Sequence, residues 1–294
     1  MIWLRLSPLC SLCIYLMMSR GSNVMTDYAE EVLAWMQRKE LEHPSYNGNS
    51  PQLAMRNTLV EFIRLVSERR KLNVPTTHLA VYLLDRFMDA HFISGQQLKL
   101  TALTAILLAA KFEERDANVP RIPELNAFVK SKYTVAIFNS MEAFMLNFYN
   151  WNVGTVTAAH FAEFYLVQGI TTGDTMNGVN ITVPSQAIKI LWKATMDFLD
   201  ITLQDQAFLQ WRSSLVAAAC LACGRFYCHL LPTWPLSLEV TTGYHLQKLS
   251  HIMDLLIRIY EKEEKGSECS LSDSAYSSNC SSLQGSPVTQ TTNE

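Results

Sequence analysis

Between Lys99 and Lys111 the chain carries no charged residue. In this stretch, LKLTALTAILLAAKFEER (Leu98–Arg115), Leu98, Thr101, Ala102, Ala105, Leu108, Ala109 and Phe112 recur at steps of three and four, the spacing of one helical face. The opposite face is apolar or small as well, with Leu103, Ile106, Leu107 and Ala110. A helix that is apolar all round is either buried among other elements or spans a membrane. About a dozen apolar residues fall short of the roughly 20 that a bilayer requires. The stretch therefore predicts the central helix of an all-α domain, with alanines that let neighbouring helices approach closely. It leaves the core through Lys111-Phe112-Glu113-Glu114-Arg115, charge with one aromatic at the C-terminal end.

The rest of the composition narrows the function classes. With 294 residues, 49% of them hydrophobic, the chain can build one large domain or two modest ones. A net charge of −3, without a basic cluster interleaved with aromatics, lacks the footprint of a nucleic-acid binder. Seven cysteines with no framework spacing point to a reducing compartment. Cys220 and Cys223 form a lone CxxC, but zinc needs a second ligand pair, so both are expected to be packing atoms. There is no glycine-rich phosphate loop, nucleophile elbow or HExxH. The seven histidines are scattered, and His78, His160, His229 and His251 sit at helical positions that favour packing. No catalytic residue, metal or cofactor is expected, and no membrane span.

Residues 1–24 do not match the rest of the chain. One arginine, an apolar run and a small-residue segment imitate a secretory signal. Pro8 would interrupt the apolar helix and the remainder looks cytosolic, so Met25 is the expected start and 1–24 an upstream extension. Two glycosylation triplets, at Asn180 and Asn279, are the kind that arise by chance. Helices are then predicted at Asp27–Glu40, Leu53–Arg69, Thr76 or Thr77 (as N-cap) to His91, the central stretch capped by Ser94, Glu124–Lys130 and Thr134–Tyr149. The pattern recurs with helices at Thr157–Val167, Ser185–Leu203, Arg212–His229, from Leu236, and at Tyr244–Glu264. Residues 168–184 read as a polar loop, and 266–294 as a disordered serine-rich tail carrying Ser286-Pro287. Two alanine-cored helices about a hundred residues apart predict two similar bundles in tandem, a period too long for a solenoid. The expected divisions are 1–24, 25–153, 154–265 and 266–294.

Several stretches resemble the cyclin family. Met55-Arg56-Asn-Thr-Leu59-Val60 is similar to the MRxxLV opening of the first cyclin box, and Leu79–Phe87 to its LAxxxxDRF helix. Leu107–Glu114 resembles the LLAxKFEE signature and Met141-Glu142 the MExxxL element. Ser213–Ala219 and Thr242-Gly243-Tyr244 resemble motifs of the second box. The match covers Asp27 to Glu264. The pairing of KFEER with LDRFMDAHFIS, the stretch Thr202–Leu209 and the turn Pro232–Pro235 resemble the cyclin J branch.

The resemblance implies two cyclin-box bundles and a non-catalytic subunit that binds and activates a cyclin-dependent kinase, cell-cycle related, in nucleus and cytoplasm. It implies kinase contact by Lys111 and Glu142, with Phe112, Leu146, Trp151 and Val153 as the apolar surround. Without the resemblance, Lys111 would cap its own helix and Glu142 would be a solvated face residue. Arg56 and Asp85 match a buried structural ion pair. Met55, Leu59 and Phe62 match a substrate-docking patch, but Thr58 stands where the family has an aliphatic, Leu65 where it has glutamate and Lys99 where it has glutamine. Arg56-Asn-Thr-Leu59 fits a destruction motif by letter only. The alternatives are a cyclin-fold scaffold without kinase activation and a transcription-type cyclin.

Overall fold

The structure, a computed structural model, describes residues 26–43, 46, 48 and 50–277. Residues 1–24, the Asn279 triplet and Ser286-Pro287 lie outside the described residues. The chain divides into a compact unit ending at Leu256 and a second unit from Ile257.

Helix α1 (Thr26–Leu41) precedes a first bundle made of α2 (Arg56–Arg70), α3 (Val74–Ala90), α4 (Leu98–Glu113), α5 (Ile122–Ala127) and α6 (Val135–Phe148). A second bundle comes after it, with α7 (Ala158–Leu166), α8 (Pro184–Gln204), α9 (Ser213–Tyr227), α10 (Leu236–Thr242) and the part of α11 (Leu246–Ser277) up to Leu256. Helix α4 is the centre of the first: Leu98 and every residue from Leu100 to Ala110 are buried, against α2, α3 and α6. Its four alanines and two threonines keep it thin, and Thr101 and Thr104 bond their hydroxyls to carbonyls one turn back (Gln97 and Leu100). Helix α9 repeats the arrangement between α7 and α8, with Val216 to Arg225 all buried. Cys220 and Cys223 lie in that buried run, and burial pushes both thiols up, Cys223 to about 12. Neither is a thiolate at neutral pH, so both serve as packing atoms there.

Helix ends depart from expectation where proline and distant carboxylates intervene. Helix α3 starts at Val74 with Asn73 as N-cap, three to four residues before the threonines predicted for that position. Pro75 explains this, because its fixed φ suits a first turn and its missing N–H is not needed there. The carboxylate of Glu114 completes the cap, accepting from the Asn73 amide at 2.6 Å and the Thr76 hydroxyl at 2.8 Å. Ser94 does not cap α4. Its hydroxyl bonds the Gln97 side chain at 3.1 Å, and Gln97 takes the N-cap position. Helix α9 is capped from far away: Glu40 of α1 accepts from both the amide and the hydroxyl of Ser214, at 2.6 and 2.7 Å. This ties α1 to the second bundle.

The segment read as a polar loop contains strands. β1 (Thr175–Met176) and β2 (Val179–Asn180) form a hairpin, and β1 also pairs with β3 (Leu230–Leu231), all antiparallel. Asn177-Gly178 makes the turn with φ of +54° and +75°, the pairing that two-residue hairpins favour. Helix α11 runs to Ser277, past the expected end at Glu264.

His78, in α3, is 4% exposed, and its Nε2 has no hydrogen-bond partner among the described residues. It lines a cavity of about 350 Å³ between the two bundles. Burial, then the nearby His160 and Arg64, lower its pKa from 6.5 to about 3. Because the folded value lies below the unfolded one, its contribution is complete above pH 6.5 and is lost as pH falls toward 3. The expected slope is about 1.4 kcal/mol per pH unit. His43, lowered to about 4, titrates in the same window. Urea midpoints of wild type and His78→Gln between about pH 7 and 4.5 check this: the variant should lose stability less steeply, and parallel curves would contradict it.

Candidate functional site

Lys111, Phe112 and Glu113 point in three directions from the last turn of α4, because successive helical residues are about 100° apart, and Glu114 follows in extended backbone. Lys111 Nζ lies 2.5 Å from Glu142 Oε1 on α6, with side chains 48% and 14% exposed. The two charges nominated from separate helices therefore meet as one ion pair. Lys111 is not spent on its own helix end, and Glu142 is not a freely solvated face residue. Phe112 is 37% exposed, and the free end of its ring abuts Gly154: a Cβ there would come within 2.3 Å of the ring tip. Glu113 Oε1 is 3.0 Å from His160 Nε2. The Thr157 amide can only donate, so His160 Nδ1 accepts from it and the Nε2 proton points at Glu113. This joins the end of α4 to the start of α7. Glu114 turns the other way and caps α3.

The apolar surround is graded. Leu146 and Val153 are half-buried against the α4-centred core, whereas Trp151 is 69% exposed. Trp151 stands on the turn that closes α6. Its amide bonds the Leu146 carbonyl at 2.9 Å, and Asn150 and Trp151 have φ of +49° and +62°. Left-handed backbone at a bulky residue costs of order 1–3 kcal/mol and persists where surroundings over-determine it. Tyr149 fixes the same turn through a hydrogen bond from its hydroxyl to the Leu83 carbonyl.

Arg56 and Asp85 are 1% and 2% exposed and form a two-pronged pair, Nε to Oδ1 and Nη2 to Oδ2, both 2.8 Å. The remaining Arg56 nitrogen donates to the Gln204 carbonyl at the end of α8, 2.8 Å away. The pair thus joins α2, α3 and the second bundle. A counterpart unforeseen from the sequence lies in the second bundle. Arg225 is 0% exposed and binds Asp174 at 2.9 Å, with the carbonyls of Gly169, Pro232 and Thr233 also accepting from it. Burial raises the Asp174 carboxyl, but hydrogen bonds from Arg225 and Thr171 outweigh it and hold the group below the usual aspartate value.

The expected docking patch needs correction at one position. Leu59 is 2% exposed and belongs to the core cluster that α2 shares with α3 and α4. Buried Arg56 and Leu59 likewise put the RxxL match inside the bundle. Met55 is exposed and Phe62 half-buried, with Lys99 Nζ 5.3 Å from the ring centre. Among the described residues no cluster of three or more His, Cys, Asp or Glu could hold a metal ion, and no helix is long and apolar enough to cross a membrane.

Residues 31–154 match the model for the cyclin N-terminal domain, and residues 156–286 that for the cyclin C-terminal domain. Cyclin-J of Xenopus laevis is 37% identical over 242 residues, 81% of this chain and 63% of that protein. Cyclin-J of Homo sapiens is 36% identical over 81% of this chain and 62% of its own length. Human Cyclin-A1 is 29% identical over 82% of this chain and 50% of its own. The chain thus spans about three fifths of the length of its Cyclin-J relatives. The structure of a viral cyclin from herpesvirus saimiri superposes with a TM-score of 0.61 at 17% identity, over 76% of this chain and 96% of that one, a likeness of fold. Two domain matches in tandem, the two helical bundles and these relatives together place the chain in the cyclin family.

Proposed function

We propose that this chain is a non-catalytic subunit that binds a cyclin-dependent kinase and activates it. The observation that carries the reading is the Lys111–Glu142 pair, presented at the end of a rigid buried helix, with Phe112 exposed next to Lys111 and Trp151 exposed on the turn that closes α6. Kinase phosphoryl transfer depends on a lysine–glutamate pair that forms only when the kinase's regulatory helix is in place. A stiff ledge that binds the inward position better than the outward one shifts the kinase toward activity by that difference in affinity. Lys111 and Glu142 supply donors and acceptors to the partner's main chain. Phe112, Trp151, Leu146 and Val153 exclude water around them, which strengthens those bonds.

The test is affinity purification of the chain from cells, identification of any bound kinase, and assay of that kinase's activity with and without the chain. Capture with stimulation supports the reading. Capture without stimulation would favour a cyclin-fold scaffold.

Gly154 gives a sharper check. A methyl group there must displace the Phe112 ring, which can swing because only its free end is blocked. Gly154→Ala is expected to change folding stability by less than about 1 kcal/mol while weakening kinase capture about tenfold. Capture equal to wild type would remove Phe112 from the contact surface.

A further inference from the structure

The cavity of about 350 Å³ between the two bundles stands apart from the ledge: Lys111, Phe112, Glu142 and Trp151 are not among the residues that line it. Its size falls at the low end of small-molecule sites, roughly 300–1,000 Å³. Exposed Leu41, Gln210 and Arg212 mark its mouth, and buried Val81, Ala158, Leu203 and Val216 line its interior. Aromatic rings reach it from two parts of the chain. His43, after α1, and Tyr82, on α3, have ring centroids 5.2 Å apart. Phe208 and Trp211, between α8 and α9, have theirs 5.8 Å apart. Two hydrogen-bonding atoms in this lining are left open. The Nε2 atoms of His78 and His43 are both buried, and neither has a partner among the described residues. Buried polar atoms are nearly always paired, so two open ones on one cavity point to an occupant that supplies the bonds.

The charges around the cavity are already committed. Glu40 accepts from Ser214, and Asp85 from Arg56, so a cation meets no open carboxylate on the lining. Arg56 is spent on Asp85 and the Gln204 carbonyl, Arg86 is engaged as well, and Arg212 is exposed at the mouth. Burial keeps both imidazoles uncharged at neutral pH. A charged group taken inside would lose its hydration without gaining a free counter-charge. Water is a poor tenant too, since a buried water needs about three polar partners and most of those here are taken. We propose that the cavity binds a small, uncharged, planar heteroaromatic molecule whose ring nitrogens bond the open imidazoles and whose faces pack on the surrounding rings. Such a ligand touches elements of both bundles, and its binding does not rest on the kinase reading.

The test uses the full chain, labelled at histidine, and three probes of one shape. Benzimidazole donates and accepts through its ring nitrogens, indane is its hydrocarbon counterpart, and benzimidazole-5-carboxylate carries a charge. In NMR titrations benzimidazole is expected to bind saturably and to shift the ring signals of His78 and His43, with the other two at least tenfold weaker. His78→Leu keeps a similar volume and removes the open nitrogen. It should weaken benzimidazole about tenfold, bring it level with indane, and leave the melting temperature no lower, because an unpaired buried atom is lost. Val81→Ile and Ala158→Val add methyl groups to the wall, and each should weaken benzimidazole and indane alike in chains that melting curves show to be folded. The proposal would be overturned if benzimidazole did not bind, if indane matched it, or if the carboxylate bound more tightly. A His78→Leu chain that binds benzimidazole as wild type does would overturn it too.

Discussion

Replacing Lys111 and Glu142 together with alanine is expected to abolish kinase capture while leaving the helical circular dichroism and the melting temperature close to wild type. The two halves of that expectation rest on different energies. Within the free chain the pair is half open to water on the lysine side, and pairs of that kind contribute at most about 1 kcal/mol to folding. At an interface the same groups are desolvated, and losing one costs about 2–5 kcal/mol, or roughly 30-fold to a few thousandfold in affinity. Because the partners hold each other, a single alanine also leaves an unmatched charge, so the double variant is the cleaner measurement. A charge swap, Lys111→Glu with Glu142→Lys, retains the internal attraction and reverses donors and acceptors toward a partner. It is expected to fold and to fail in capture. Retained capture by either double variant would remove this surface from the reading.

Asp85→Ala is expected to do the opposite, destabilising the chain without selecting for any partner. Arg56 is 1% exposed and all of its donors are directed inward, so removal of the aspartate leaves a buried cation with only the Gln204 carbonyl. Breaking such a pair costs about 3–5 kcal/mol, a large share of the roughly 5–15 kcal/mol that stabilises a typical domain. The urea midpoint should fall accordingly, and soluble yield with it. Replacing both partners by apolar residues of similar volume, Arg56→Met with Asp85→Leu, should cost less than Asp85→Ala alone, since no charge is then stranded. A midpoint unchanged in Asp85→Ala would show that the pair is not structurally important.

Much of this is legible in the residues. The uncharged run Leu100–Ala110 announces a buried central helix, and α4 is buried throughout that run. The alanine-rich stretch around Cys220 announces its counterpart α9. What stays hidden depends on contacts between positions far apart in the chain. Glu40 caps α9 across 174 residues, and Glu114 caps α3 across 41, and no local pattern marks either one. Arg225 reads as a polar interruption in an apolar helix until the fold brings Asp174 and three carbonyls around it. Other departures are local: Pro75 marks the first turn of α3, and Asn177-Gly178 marks a hairpin. Leu59 goes to the core and not the surface because motif letters do not tell which face of a helix a residue occupies.

The site obeys the same rule. Lys111 and Glu142 can be nominated by resemblance, but their direct contact cannot. Nor can the support beneath them, in which Gly154 receives the Phe112 ring and His160 holds Glu113.

Hydrogen exchange on the chain, alone and with a cyclin-dependent kinase that co-purifies with it, tests the ledge most directly. The account predicts added protection of backbone amides at Lys111–Phe112 and across Glu142–Val153, with little change in α9. Protection confined to the second bundle, with the end of α4 exchanging as in the free chain, would contradict it.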